Sequence, residues 1–144
     1  MKKILLLFLF PVYIFAQQTY IPDGAFEQKL IDLGYDDFLN DSVLTTNLLS
    51  INSLNLSSFG VEDLTGIEDF IYLEDLNLDN NDLQEIDLSQ NLYLQNLSIK
   101  NNNLLSLDLT ENIYLQTLDI ENNEISEIDL LYNENLISLD VSDN

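Results

Sequence analysis

From Ile71 onward the apolar residues keep a fixed register. Ile71 to Asn91 reads IYLEDLNLDNNDLQEIDLSQN, Leu92 to Asn112 reads LYLQNLSIKNNNLLSLDLTEN, and Ile113 to Asn133 reads IYLQTLDIENNEISEIDLLYN. ENLISLDVSDN, from Glu134 to Asn144, begins a fourth unit, and the period is 21 residues without insertion. Leu73, Leu94, Leu115 and Leu136 form one apolar column, and Leu76, Leu97, Leu118 and Leu139 the next. Leu78, Ile99, Ile120 and Val141 follow two residues later, so the last two apolar positions share one side of an extended strand. Asn81, Asn102, Asn123 and Asn144 then form a polar column. A buried amide can satisfy turn backbone groups that no neighbouring strand reaches, and stacked coils repeat that need.

The second half of each unit repeats this spacing: Leu83, Ile86, Leu88, Asn91; Leu104, Leu107, Leu109, Asn112; Ile125, Ile128, Leu130, Asn133. Each coil therefore has two similar legs. The columns do not keep a 3.6-residue period, so the pattern predicts short parallel strands and turns with little helix. Coils of this kind stack about 4.8 Å apart.

Residues 19–50 read as an amino-terminal cap. Asp23 can cap a short helix in GAFEQKLIDLG, with Phe26, Leu30 and Leu33 on one face and Gly34 at its end. Such a cap covers the open apolar end of the first coil, and Tyr35 and Phe38 are expected to add to it. Residues 51–70 form an irregular first repeat. Ile51, Leu54 and Leu56 begin it, Phe59 stands where the Asn belongs, and Ile51 lies 22 residues before Leu73. Residues 71–144 are the regular repeats, the last incomplete. Because the pattern stops midway through a coil, the chain is expected to be a carboxyl-terminally truncated fragment. Its open end, Leu136, Leu139 and Val141, invites self-association.

The spacing L-x-x-L-x-L-x-x-N-x-L, met in full by Leu73, Leu76, Leu78, Asn81 and Leu83, resembles the leucine-rich-repeat family. IPDGAFEQKLIDLGYDD together with VEDLTGIEDF is similar to the cap and first repeat of internalin-like surface proteins and of exported flavobacterial repeat proteins. The resemblance covers about Thr19 to Asn144. It implies a curved solenoid with a parallel sheet on its concave face, export, and binding of proteins or glycans.

The first residues, MKKILLLFLFPVYIFA, pair a lysine n-region (Lys2, Lys3) with an apolar run from Ile4 to Phe10. Residues 1–16 therefore read as a secretory signal peptide, too short to span a membrane, and place the mature chain outside the cell or on its surface. No membrane insertion is expected after cleavage. The chain has no Cys, so neither disulfides nor a lipidated cysteine can contribute. Removal of Lys2 and Lys3 leaves Lys29 and Lys100 against 26 acidic residues, a formal charge of −24. That surface repels nucleic acid and anionic membranes.

The same composition argues against catalysis. The chain has no His base, no Cys nucleophile and no Arg clamp. A carboxylate pair would need a cleft to raise one pKa, which a repetitive solvated surface does not offer. No cofactor is expected. Asp87, Asp108 and Asp129 align on the second leg, and GYDDFLNDS is acidic, but the calcium-loop spacing D-x-D-x-D-G is absent and no specific metal site is assigned. A binding module recognising an extracellular protein or glycan remains, with a spacer or stalk lacking its own ligand as the alternative. On the sheet face that the family resemblance implies, the candidates are Asp75, Asn77, Asn96, Ser98, Lys100, Thr117, Asp119 and Glu121. A second candidate set is the aromatic column Tyr72, Tyr93 and Tyr114, whose rings can stack on sugars or anchor a partner.

Overall fold

The computed structural model describes residues 16–144. All of the signal-peptide segment except Ala16 lies outside them. Among the described residues, no helix is long and apolar enough to cross a membrane.

The chain opens with strand β1 (Gln18–Tyr20), helix α1 (Gly24–Asp32), strand β2 (Ser42–Leu44) and the short helix α2 (Thr45–Leu48). β1 and β2 pair antiparallel. Asp23 starts α1 as predicted: its Oδ1 accepts the Ala25 and Phe26 N–H groups, while its Oδ2 accepts those of Glu62 and Asp63 in the first coil. One carboxylate thus caps the helix and ties it to the solenoid. Burial opposes its charge, but the four backbone donors outweigh that and hold its pKa below the ordinary 3.8. Ile21, Phe26, Leu30, Val43 and Leu48 are buried, and the Phe26 ring stacks on Phe70 of the first coil at 5.8 Å. Tyr35 packs against this core, but Leu33 and Phe38 do not. Leu33 falls at the helix C-cap, where the chain turns through left-handed Gly34 (φ 80°) and carries both the helix face and the following loop away from the core.

Strands β3 (Ser53–Asn55), β4 (Asp75–Asn77), β5 (Asn96–Ser98), β6 (Thr117–Asp119) and β7 (Ser138–Asp140) form one parallel sheet in sequence order. Ser53 pairs with Asp75, an offset of 22 residues, whereas every later strand is offset by 21. The extra residue belongs to the first coil. There Phe59 turns outward under the Lys29 ammonium, 4.2 Å from the ring centroid. A 3-10 turn at Ile67–Asp69 is the only other helical piece in the described coils.

Buried leucine and isoleucine columns fill the interior from Leu54 to Ile125, each fully buried side chain contributing about 1.5–3 kcal/mol. The first Asn column behaves as its spacing predicts. Asn102 donates from Nδ2 to the Leu78 and Ile99 carbonyls, and its Oδ1 accepts the Leu83 N–H. Asn123 repeats these contacts one coil on. The residue before each of these amides, Asn80, Asn101, Asn122 or Asp143, is left-handed (φ 53–57°), a conformation that Asn and Asp tolerate. Gly66 (φ 102°) lets the first coil approach the cap: a Cβ there would lie 2.7 Å from the Tyr20 carbonyl.

The chain is a parallel-strand solenoid of 21-residue coils with little helix.

Candidate functional site

The parallel register turns the first-leg residues into two outward rows. Asp75, Asn96, Thr117 and Ser138 form one, and Asn77, Ser98, Asp119 and Asp140 the other. Between them Leu76, Leu97 and Leu118 point inward and are buried. Strand alternation dictates this, because successive side chains leave a strand on opposite faces. The rows line a trough of about 520 Å³ that runs across the sheet from Ser53 to Asp140.

Hydrogen bonds fix the first row. The Thr117 hydroxyl donates to Asn96 Oδ1 (2.7 Å), and Asn96 Nδ2 donates to Asp75 Oδ1 (2.5 Å). In the second row, Ser98 Oγ donates to Asp79 Oδ1 (2.7 Å), which also accepts the Lys100 N–H. Asp79 is therefore part of the site, although the sequence reading passed over it. Its signal was its position two residues past Asn77, in the column that holds Lys100 and Glu121.

Lys100 and Glu121 lie just past the strands, beyond the residues that line the trough. Lys100 Nζ is 3.4 Å from Asp119 Oδ2. The Asp119 carboxylate, by hydrogen bond and then by charge, with the charges of Asp79 and Glu121 behind it, raises the lysine pKa above its usual value. Asp140 moves the other way: the Ser142 hydroxyl and N–H stabilise its carboxylate, with Lys100 adding a smaller attraction. Carboxylate oxygens of Asp119, Glu121 and Asp140 lie within 4.8 Å of one another, a grouping that among the described residues is close enough for all three to meet one cation. Lys100 already occupies part of that field.

On the opposite leg, Asp87, Asp108 and Asp129 form no such cluster. Each accepts the backbone N–H two residues on, from Ser89, Thr110 and Leu131. These bonds, joined by the Ser89 and Thr110 hydroxyls, lower the pKa of Asp87 and Asp108.

The tyrosines stand apart from the sheet face. Tyr72, Tyr93 and Tyr114 occupy the turns that precede β4, β5 and β6, where they stack at centroid distances of 6.1 and 6.3 Å.

These features define a leucine-rich-repeat solenoid with a polar, acidic sheet face. Its structural neighbours include internalins of Listeria monocytogenes. The functional domain of InlJ is 26% identical, with a TM-score of 0.77, over 90% of this chain and 29% of that one. The internalin InlF is 28% identical, with a TM-score of 0.76, over 85% of this chain and 37% of that one. This chain thus spans about a third of the length of these two structures. The InlJ domain includes a cysteine ladder, whereas this chain has no Cys and its internal ladders are made of asparagine. No protein-family model and no curated protein matches the sequence.

Proposed function

We propose that this chain is an exported or cell-surface recognition module whose sheet face receives a protein partner. The trough carries the reading: two rows of short polar side chains on a rigid parallel sheet, cross-linked from coil to coil. Side chains already held in one geometry lose little freedom on binding, which favours recognition by hydrogen bonds and charge. The structural similarity to internalins and the signal-like amino terminus support a surface location. The centre of the site is Asn96, Ser98, Thr117 and Asp119, whose coils have neighbours on both sides. Asp75 and Asn77 extend it, and Lys100 and Glu121 form its rim. An interface of about 800 Å² per partner would engage several adjacent coils.

A capture of solubilised surface proteins and a glycan array, run side by side, test this. Asp119→Lys with Thr117→Arg should abolish protein capture while the circular dichroism spectrum is unchanged. Capture that survives the double change refutes the assignment to the sheet face. Binding in neither format favours the spacer reading.

A further inference from the structure

Beside the sheet, the solenoid carries an apolar ridge that this function does not use. Ile71–Tyr72, Leu92–Tyr93 and Ile113–Tyr114 occupy equivalent turns, each just before a buried leucine (Leu73, Leu94, Leu115). At a turn, consecutive side chains can both face outward, and the 21-residue register lines them up in two columns. The rings are 52%, 51% and 50% exposed, and the aliphatic residues beside them 40–46%. With a tyrosine offering about 200 Å² when fully exposed, six half-exposed side chains amount to roughly 500 Å². Patches of about 300–600 Å² are the largest on ordinary monomers and often mark interaction sites.

The ring geometry narrows the occupant. The planes of Tyr93 and Tyr114 differ by 5° and those of Tyr72 and Tyr93 by 30°, so the rings are stacked on one another. Within the stack every ring face except the outer ones of Tyr72 and Tyr114 is turned toward a neighbouring ring. Edges and hydroxyls remain, which suit the apolar and polar groups of a protein better than the flat face of a sugar. Roughly 500 Å² also falls short of the about 800 Å² that a stable partner covers, so an occupant must spread onto flanking surface. That surface is acidic. Glu68 precedes the first pair, Glu74 follows it, Glu111 precedes the third pair, and Glu134 lies in the next coil, whereas the Asp69 carboxylate is taken up by the Thr19 hydroxyl of the cap. A second copy of this chain would bring the same acids against them.

We infer that the Ile/Leu–Tyr ridge is a docking surface for a protein that presents an apolar strip flanked by lysine or arginine. The test is calorimetric titration of the full chain with a synthetic amphipathic helical peptide that carries leucines on one face and lysines beside them. The peptide should bind. Replacing Tyr72, Tyr93 and Tyr114 with Ser should weaken it about tenfold or more, equivalent to about 1.4 kcal/mol. Glu74→Lys with Glu111→Lys, which leaves the ring stack in place, should also weaken it, and by less at high salt. Asp119→Lys with Thr117→Arg should leave it unchanged, which separates this surface from the sheet face. The inference is overturned if the tyrosine triple variant retains full affinity while folded. It is equally overturned if peptides with Gln for Leu, or Glu for Lys, bind as well as the parent. Tyrosine-dependent binding of a chitin oligosaccharide would assign the ridge to glycans instead. A dimer of the chain that the triple variant abolishes would assign it to self-association.

Discussion

The two internal asparagine columns look alike in sequence, but the structure predicts that they differ in stability by several kcal/mol. Asn102 belongs to the first leg. Its Oδ1 is the acceptor for the Leu83 N–H at 3.1 Å, and its Nδ2 reaches the Leu78 and Ile99 carbonyls. Those carbonyls have second donors, Asn81 and Asn123. Asn102→Leu therefore strands one buried N–H outright and removes the other bonds. At about 1–3 kcal/mol for a stranded group and about 1 for each bond lost, the cost is about 3–5 kcal/mol. Asn112 belongs to the second leg. Its Nδ2 donates to the Leu88 and Asn91 carbonyls, both of which also accept backbone N–H groups. Its buried Oδ1 has no hydrogen-bond partner among the described residues. Asn112→Leu gives up about 2 kcal/mol of bonds but removes an unsatisfied oxygen whose burial costs about 1–3, so the balance lies within about 1 kcal/mol of wild type. Both substitutions gain similar apolar burial, which cancels in the comparison. Urea unfolding followed by circular dichroism, with m-values compared first, measures the gap. Against a total of about 5–15 kcal/mol, a difference of about 3 is readily resolved. Equal destabilisation by the two substitutions, or a larger loss for Asn112→Leu, would refute the reasoning.

Further outcomes follow from particular contacts. Gly66→Ala should loosen the cap, because its Cβ would meet the Tyr20 carbonyl at 2.7 Å in a left-handed backbone; a drop in melting temperature of several degrees is expected, and an unchanged value would contradict the close approach. Asp23 has a depressed pKa in the folded state, so its stabilisation is present above its ordinary 3.8 and is lost as the pH falls below that value through the folded pKa. Asp23→Asn should therefore be less stable than wild type at neutral pH, with the difference shrinking in acid; a pH-independent difference would contradict this. Added salt should raise the stability of so acidic a chain, with calcium giving little beyond magnesium at equal ionic strength, and a calcium-specific rise lost in Asp140→Asn would instead identify a cation site at Asp119, Glu121 and Asp140. Strand β7 has a paired neighbour on one side only and its side chains are exposed, so its amides should exchange fastest in the sheet; equal protection of β5 and β7 in a monomer would count against that.

The repeat was legible because stacking forces it: each buried column must be refilled every coil, so Leu73, Leu94 and Leu115 announce one another. The cap was legible through Asp23, although the same reading could not show that its second oxygen reaches Glu62 and Asp63. Which leg forms the sheet was not legible from the apolar spacing, since both legs share it. The distinguishing signal was the doubled asparagine that ends the first leg, as in Asn101–Asn102, where one residue turns left-handed and the next is buried. The second leg ends on a single amide, as in Glu111–Asn112. Phe38 and Leu33 were misread because apolar character alone does not reveal where a helix stops. Asp79 and the convergence of Asp119, Glu121 and Asp140 join side chains from neighbouring coils at and just past the strand ends, where the chain direction, not the period, decides what meets.

A hydrogen-exchange footprint of the chain with its captured surface protein tests the recognition face most directly. Binding at the sheet face should slow exchange across β5, β6 and the residues just beyond them, from Asn96 to Lys100 and from Thr117 to Glu121. The second legs around Glu85–Gln90 and Ser106–Glu111 should be unaffected. Protection confined to those second legs, with β5 and β6 unchanged, would contradict the proposed site.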